Sequence, residues 1–432
     1  MTYYRIRGPS RLSGTFRPAG NKNAALPILA ASLLTEQPVR LENVPAIHDV
    51  HTLLELLEGL GVVAEWTGPN ELELCARTLE QPELDRQAAG RIRGSVLLAG
   101  PMLARFGAVD LPTPGGDFIG RRRLDTHFLA FRALGTEVEV GEEYRLRASQ
   151  LTGASIFLDE PSVTGTENAI LAAVTASGTT RLRNAAAEPH VQDLCRFLVS
   201  LGGRIEGIGT RELRIVGVPS LSGGTFRIGP DHIEIGSVIG LAACTGSTLR
   251  IEEVDPEMFD PLRVGFQRLG LEFEWEEGAL RVRGDGALEI QPDVGNQIPK
   301  IDDGPWPAFP ADLISVALVA ATQCRGTVLI HEKMFESRMF FVDKVVAMGA
   351  RVVLCDPHRA VVVGPSPLRG ARLESPDIRA GMAMLIAALA AEGESRIHNI
   401  RQIERGYERI HQRLSALGAD LERVGSEENE AA

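Results

Sequence analysis

The segment Ile235-Gly-Ser-Val-Ile-Gly-Leu-Ala-Ala-Cys-Thr245 decides the fold, because it contains no charged residue at all. A helix without a polar face belongs in a protein interior and not on its surface. Five further segments are apolar in nearly the same way: residues 23–34, 95–106, 167–176, 312–323 and 380–391. Six buried helices require sheets outside them, so the sequence predicts an α/β protein with its helices inside.

A second, amphipathic helix follows each apolar helix and a short predicted strand. Each of these helices ends in a hydrophobic residue followed by glycine, which suits the left-handed position that closes a helix. The closing glycines are Gly61, Gly135, Gly202, Gly270, Gly349 and Gly418. Their spacing of roughly 70 residues predicts six repeated units.

Two similar segments divide these six units into two groups of three. They are Leu12-Ser-Gly-Thr-Phe-Arg-Pro18 and Leu221-Ser-Gly-Gly-Thr-Phe-Arg227. The sequence therefore predicts two domains of three units each, with chain crossings near residues 18–22 and 228–232. Residues 1–20 and 231–432 would form a discontinuous C-terminal catalytic domain, and residues 21–230 the inserted domain.

Length and composition agree with two domains and exclude several classes of protein. The chain has 432 residues, 44% of them hydrophobic, and a net charge of −12, which argues against nucleic-acid or anionic-membrane binding. No apolar run reaches the roughly 18 residues of a membrane span, and no signal segment opens the chain, so we expect a cytoplasmic protein. The five cysteines lack the spacing of a disulfide framework or a zinc site. No pattern predicts an oligomeric state.

Loops that enter the apolar helices carry polar residues. These are Lys22, Asn23, Arg93, residues 162–166, residues 231–234, Asp312 and Arg379. Helix N-termini attract anions, so the entrances would form an anion site if they converged. Ordinary helix capping is the alternative for Ser162 and Asp231. Lys22 opposes the helix dipole, and we therefore expect an external anion beside it.

A glycine-rich stretch, Pro114-Gly-Gly-Asp-Phe-Ile-Gly120, precedes Arg121-Arg-Arg-Leu-Asp-Thr-His127. Such a loop could close over a phosphate through bidentate guanidinium contacts. We therefore predict a lid loop at residues 112–123. An exposed arginine run on a surface helix is the alternative.

Several motifs together resemble one known family. They are Gly20-Asn-Lys-Asn-Ala-Ala-Leu-Pro27, the Pro-Gly-Gly-x-x-Ile-Gly loop, Pro310-Ala-Asp312, Phe335-Glu-Ser-Arg338 and Arg405-Gly-Tyr-Glu-Arg409. Their order and spacing are similar to those of the UDP-N-acetylglucosamine 1-carboxyvinyltransferases. The resemblance covers essentially the whole chain and implies an inside-out α/β barrel, or prism, in each of two domains.

The resemblance also implies a chemistry without a cofactor or metal. Its substrates would be phosphoenolpyruvate and UDP-N-acetylglucosamine, in the synthesis of peptidoglycan precursors. Lys22, Arg122 and Arg379 would hold phosphoenolpyruvate, with Arg338 in support. The residues along the nucleotide sugar would be Asn23, Arg93, Asp125, Thr126, His127, Ser162, Val163, Asp312 and Met334. Asp312 would be the catalytic base and Asp117 the acid or a gate for product release, while Lys22 would stabilise phosphate charge.

The chain departs from the commonest family pattern at four positions. Asp117 replaces a loop cysteine, Glu160 and His48 replace lysines, and His232 replaces an arginine. Because fosfomycin acts on this family through that cysteine, Asp117 predicts resistance. Glu160 would repel a diphosphate unless it points away or binds the uridine edge.

Three alternatives to this reading stay open. The first is a diverged paralogue that binds UDP-sugars without turnover, for which Glu160 and His232 are the evidence. The second is a 5-enolpyruvylshikimate 3-phosphate synthase, although the Asn-Ser-Gly-Thr-x-x-Arg stretch of that enzyme is missing. The third is a structural repeat protein.

Overall fold

The computed structural model describes residues 2–79, 83–117 and 119–425. Its strands are β1 Tyr3–Gly8, β2 Ser13–Phe16, β3 Val39–Glu42, β4 Val63–Gly68, β5 Glu71–Cys75, β6 Ala108–Leu111, β7 Glu137–Val140, β8 Tyr144–Arg147, β9 Ser155–Phe157, β10 Thr179–Arg183, β11 Arg204–Glu206, β12 Glu212–Val216, β13 Gly224–Arg227, β14 Thr248–Glu252, β15 Glu272–Glu276, β16 Ala279–Arg283, β17 Lys300–Asp302, β18 Gly326–His331, β19 Arg351–Asp356, β20 Arg359–Gly364, β21 Arg372–Glu374, β22 Gly393–His398 and β23 Asp420–Val424.

The α-helices alternate with these strands along the chain. They are α1 Lys22–Ala31, α2 His48–Gly59, α3 Arg86–Arg91, α4 Ala99–Phe106, α5 Asp125–Ala133, α6 Val163–Ala173, α7 Pro189–Ser200, α8 His232–Thr245, α9 Pro256–Gln267, α10 Ile314–Ala321, α11 Val342–Ala347, α12 Ile378–Ala390, α13 Arg401–Glu404 and α14 Ile410–Ala416. Short 3₁₀ helices span Ser32–Leu34, Arg93–Leu98, Ala311–Leu313 and Arg338–Phe341. The mixed α/β class predicted from the sequence is confirmed.

The described residues fall into two compact units. Unit one takes its residues from Met1–Ala19, Phe118–Arg121 and Pro230–Ala432, and unit two from Gly20–Asp117 and Arg122–Gly229. Of the predicted loop at residues 112–123, residues 112–117 and 122–123 belong to unit two and residues 119–121 to unit one, and Phe118 lies outside the described residues. Among the described residues, none of the helices combines the length and apolar character that a membrane span requires.

Unit one contains three four-stranded sheets, ordered β21-β22-β1-β23, β15-β16-β14-β2 and β17-β18-β20-β19. The helices α8, α10 and α12 pack against one another, and each contacts a different one of these sheets. Nearly every residue of the three helices is buried. A helix with apolar side chains on every face finds partners on every face only in such an interior position.

Unit two repeats this scheme with sheets β13-β3-β5-β4, β11-β12-β10-β9 and β6-β8-β7. Its interior helices are α1, α4 and α6, together with the 3₁₀ helix that precedes α4. The two similar segments noted in the sequence occupy matching places in the two units. Strand β2 pairs in parallel with β14 in unit one, and β13 pairs in parallel with β3 in unit two.

All six segments predicted as apolar helices are helical, and each begins one to four residues before its predicted start. Helix α6 begins at Val163 and not at residue 167, because the Ser162 side chain caps it by accepting from Gly165 N. The segment predicted to start at residue 95 begins as a 3₁₀ helix at Arg93.

The cysteines form no disulfide among the described residues. Cys195, Cys244 and Cys324 are buried as expected of small apolar side chains, whereas Cys355 is exposed.

Candidate active site

In unit two, Lys22 opens helix α1 directly after its cap. Asn21 Oδ1 accepts from Asn23 N at 2.9 Å, which fixes the start of the helix. Lys22 Nζ lies 2.6 Å from Asp49 Oδ2, and both side chains are less than a tenth exposed. A carboxylate from helix α2 therefore already offsets part of the charge of Lys22, and an external anion beside it stays a prediction. Asn23, the next residue, is half-buried.

Arg93 and Arg122 lie close together in the same unit. Arg93 Nη2 donates to the Arg122 carbonyl at 2.8 Å. Burial, and then the charge of Arg122, lower the pKa of Arg93 to about 10. Two guanidinium groups in one half-buried place favour an anion beside them.

A cavity of about 440 Å³ lies beside this pair of arginines. It is lined by Arg93, Arg122, Arg123, Asp125 and Arg132, together with the rings of Phe128 and Tyr144. The structure thus brings three residues predicted from the sequence, Arg93, Arg122 and Asp125, to one cavity. Its arginines suit phosphate groups, and its aromatic rings offer faces for a flat ring.

Thr126 and His127 follow Asp125 but are buried, each only 1% exposed. Asn168 Nδ2 donates to His127 Nδ1 at 2.9 Å, and His127 Nε2 lies 3.1 Å from Thr164 Oγ1. Burial, and then the charge of Arg93, lower the pKa of His127 to about 3, so the imidazole is neutral near neutral pH. The imidazole then donates from Nε2. Its contacts with Asn168 and Thr164 hold the start of α5 against α6.

Asn168 was not among the predicted residues. Besides contacting His127, it donates to the Val96 carbonyl at 2.9 Å and accepts from Gly100 N at 2.8 Å. The signal that could have revealed it is an asparagine in the middle of an otherwise apolar helix, since a buried amide needs partners.

Glu160 faces cations and hydroxyl groups of its own unit. One carboxylate oxygen lies 3.9 Å from Arg123 Nη2, and the other accepts from Thr126 Oγ1 at 3.4 Å. Arg123 Nη2 is also 3.8 Å from Asp159. Ser162 and Val163 follow at the start of α6, as cap and first helical residue.

The glycine-rich loop passes close to other backbone segments. Gly116 has φ +104°, and a Cβ there would stand 2.8 Å from Arg93 Cβ. Gly120 has φ +129°, and a Cβ there would stand 2.2 Å from Glu336 Oε2. Only glycine fits at both points. In unit one, Arg121 N donates to Glu336 at 3.2 Å and Ser337 N donates to the Ile119 carbonyl at 3.2 Å.

Asp117 is half-buried in this loop and belongs to unit two. Met334, at the turn after β18 in unit one, is 38% exposed. Lys22 and Arg122 belong to unit two, and Arg379 to unit one. A common phosphoenolpyruvate site for these three residues stays a prediction.

Asp312 joins two buried arginines in unit one. It lies in the 3₁₀ turn Ala311–Leu313, where one oxygen accepts from Arg338 Nη2 and the other from Arg379 Nε at 2.9 Å. Burial opposes the charge of Arg379, but Asp312, Tyr407 and Asp231 outweigh it and raise the pKa of the guanidinium. The three side chains carry one net positive charge.

Two donors of this cluster remain without an acceptor. Arg338 Nε and Arg379 Nη1 are buried and find no hydrogen-bond partner among the described residues. Buried guanidinium nitrogens are normally satisfied, so donors in this state indicate a place for an anion.

Tyr407 supports the cluster and was not predicted as a site residue. Its ring centroid lies 5.4 Å from the Arg379 guanidinium, and its hydroxyl is 2.9 Å from Ser237 Oγ. The sequence feature that could have identified Tyr407 is its position inside the Arg405–Arg409 motif.

His232 is buried in unit one, with its ring 5.7 Å from that of Trp306. Burial lowers its pKa to about 4, so the side chain is neutral near neutral pH. Where the commonest family pattern has an arginine, this chain has an uncharged ring. His48, the other histidine among the four departures, is exposed at the first position of α2.

Comparisons with known proteins agree with one another over the whole chain. Residues 6–414 match the family described as EPSP synthase (3-phosphoshikimate 1-carboxyvinyltransferase). The UDP-N-acetylglucosamine 1-carboxyvinyltransferase of Bradyrhizobium diazoefficiens is 60% identical over 98% of both chains, and that of Treponema denticola is 53% identical over 98% of this chain and 99% of its own.

Two solved structures also match closely. The enolpyruvyl transferase NikO from Streptomyces tendae has a TM-score of 0.87 at 25% identity, over 98% of this chain and 99% of its own. An EPSP synthase from Acinetobacter baumannii, at 16% identity and a TM-score of 0.75 over 98% of this chain and 100% of its own, shares the fold. This chain therefore belongs to the UDP-N-acetylglucosamine 1-carboxyvinyltransferase family of enolpyruvyl transferases.

Proposed function

We propose that this protein transfers the enolpyruvyl group of phosphoenolpyruvate to the 3-hydroxyl of UDP-N-acetylglucosamine and releases phosphate. The reaction would serve the synthesis of peptidoglycan precursors. Each unit would be an inside-out α/β barrel of three repeats. The observation that carries the proposal is the pair of buried donors without acceptors, Arg338 Nε and Arg379 Nη1, beside Asp312. Such a place binds an anion such as the phosphate or carboxylate of phosphoenolpyruvate.

Lys22, Arg122 and Arg379 would hold phosphoenolpyruvate, and Arg338 would support Arg379 through Asp312. Their fixed positive charges stabilise phosphate charge as its bond to carbon breaks. The Lys22–Asp49 pair keeps the ammonium group in one position before substrate arrives.

The arginine and aromatic cavity of unit two would take the nucleotide end of UDP-N-acetylglucosamine. Arg93, Asp125 and Arg122 line it, and Thr126 and His127 shape the helix start beneath it. Asn23, Ser162, Val163 and Met334 are assigned to the sugar by their match to the family. Glu160 contacts Arg123 and Thr126, which offsets the repulsion that a lone carboxylate would exert on a diphosphate.

The chemistry would be addition followed by elimination. The sugar oxygen attacks C2 of phosphoenolpyruvate, its proton passes to Asp312, and Asp117 gives a proton to C3. The resulting ketal loses a proton from C3, breaks its bond to the phosphate oxygen and releases phosphate. Asp312 must exchange one arginine contact to accept a proton, because both of its oxygens already accept hydrogen bonds.

The test is phosphate release from phosphoenolpyruvate with UDP-N-acetylglucosamine as acceptor and shikimate 3-phosphate as control acceptor. We expect release with the nucleotide sugar and none with shikimate 3-phosphate. Release only with shikimate 3-phosphate would reassign the substrate, and no release with either acceptor would contradict the proposal. Arg338→Lys, which cannot reproduce the guanidinium geometry, should lower kcat/KM for phosphoenolpyruvate.

A further inference from the structure

Two acidic side chains lie together in the interior of unit one, outside the predicted site. Asp303 follows strand β17 and Glu332 follows strand β18, and these strands pair in parallel. Glu332 is 0% and Asp303 1% exposed. Their carboxyl groups are near enough for the charge of Asp303 to act on Glu332. Two ionised carboxylates buried side by side repel each other, which favours a proton on one of them.

One oxygen of each carboxyl group, called the outer oxygen below, accepts no hydrogen bond from any other residue that the structure describes. Asp303 Oδ2 and Glu332 Oε2 are buried, and no N–H or O–H of another described residue reaches them. The inner oxygens accept from backbone: Asp303 Oδ1 from Lys333 N, and Glu332 Oε1 from Met334 N at 3.1 Å and Phe335 N at 3.0 Å. The pair therefore holds three successive amides of the turn that carries Met334.

We propose that Asp303 and Glu332 share one proton and act together as positioning residues for the turn Lys333–Phe335. With the proton between them, each acid offers its inner oxygen to the backbone without repelling the other. Loss of the proton places two buried negative charges side by side and loosens the turn. The link from this turn to UDP-N-acetylglucosamine, through Met334, rests on the proposed function.

The surroundings of the pair agree with a retained proton. Burial, and then the charge and hydrogen bond of Asp303, raise the pKa of Glu332 to about 9, although Arg338 and the Phe335 amide oppose the shift. His358 contacts backbone atoms of Glu332, with Nδ1 2.8 Å from the Glu332 carbonyl. Lys333 points its ammonium group to Asp302 on the exposed side.

The sign of the pH effect follows from the raised pKa. The stabilisation is complete below the ordinary pKa of glutamate, about 4.5, and is lost as pH rises through about 9. In Asp303→Asn, the amide supplies a permanent donor to Glu332 and its oxygen keeps the Lys333 contact. In Glu332→Gln, the amide donates to Asp303 in the same way. Both variants remove the charge repulsion.

The experiment measures Tm from pH 5 to pH 9 for the full chain and these two variants. We expect the Tm of each variant, relative to the unaltered protein, to rise steadily with pH. The double variant should melt below either single variant at every pH, because two amide groups then face each other without an acceptor. A flat difference profile for either single variant, or a double variant as stable as the singles, would overturn the shared proton.

Asp302→Asn is the matched control. Burial by itself would raise the pKa of Asp302, but hydrogen bonds from Lys333 and Lys300 outweigh burial and lower this pKa below its ordinary value. Asp302 therefore does not titrate between pH 5 and 9. Its Tm difference should stay flat there. The KM for UDP-N-acetylglucosamine should rise at alkaline pH in the unaltered protein and less so in Asp303→Asn. An equal rise in both proteins would overturn the positioning role. Because Tm needs no substrate, failure of the proposed function would leave that part of the test intact.

Discussion

Lys22 Nζ and Asp49 Oδ2 are 2.6 Å apart, in side chains that are both almost fully buried. The lysine opens helix α1, where its charge opposes the helix dipole, and the aspartate comes from the first turn of α2. Burying this ion pair costs desolvation free energy. In return, the pair holds the ammonium group of Lys22 in a defined position.

The first prediction concerns Lys22→Ala. The family resemblance predicts damage to turnover, and the structure adds damage to folding, because the variant leaves Asp49 buried without this cation. We expect a stability loss of about 3–5 kcal/mol, measured by unfolding, together with a loss of kcat/KM between tenfold and several hundredfold. Lys22→Ala/Asp49→Ala should recover much of the stability and none of the activity. Near-normal activity in either variant would exclude Lys22 from the site.

The second prediction concerns the proposed base. Asp312→Asn keeps the shape of the side chain but cannot take a proton, and its amide replaces one of the two acceptor oxygens that bind Arg338 and Arg379. Turnover should fall by roughly 10² or more, while calorimetry should show nearly unchanged binding of UDP-N-acetylglucosamine. Intact turnover would place the base elsewhere.

The third prediction concerns Arg122. Because its charge lowers the pKa of Arg93, the two guanidinium groups repel each other when no anion is bound. Arg122→Met should reduce the rise in Tm that phosphoenolpyruvate causes. Arg132→Met, at the same cavity, is the control and should leave that rise in place. An unchanged ligand-induced shift in Arg122→Met would contradict the role given to Arg122.

The fourth prediction is acid sensitivity from His127. Its pKa is lowered to about 3, so its stabilising contribution is present above the ordinary pKa of 6.5 and is lost as pH falls through about 3. His127→Gln should reduce the slope of Tm against pH between 6.5 and 4, and His48→Gln, at an exposed position, should not. Equal slopes in all three proteins would show that His127 does not supply this sensitivity.

The fifth prediction concerns fosfomycin. Alkylation of the family's loop cysteine requires a thiolate, and the Asp117 carboxylate is a much poorer nucleophile. We expect intact mass spectrometry to show no adduct on this protein after incubation with fosfomycin and UDP-N-acetylglucosamine. Asp117→Cys should gain one adduct and stay active before treatment. An adduct on the unaltered chain would refute the resistance.

The sequence alone determined the elements and their class. Six apolar helices, six closing glycines and two copies of one strand segment are local patterns, and each depends on residues close together in the chain. The family motifs are local in the same sense. They supplied Lys22, Asp312, Arg338 and Arg379 as candidates without their contacts.

Only the tertiary structure decided which charges meet. Asp312 contacts Arg338 and Arg379, 26 and 67 residues further along the chain, and Asp303 meets Glu332 across two paired strands. A single sequence does not show such partners, because a buried charge is compensated by whichever side chain the packing of distant elements brings to it. The same packing buries His127 against Asn168, and it gives Lys22 an internal anion, Asp49, that the position of the lysine at a helix start did not reveal.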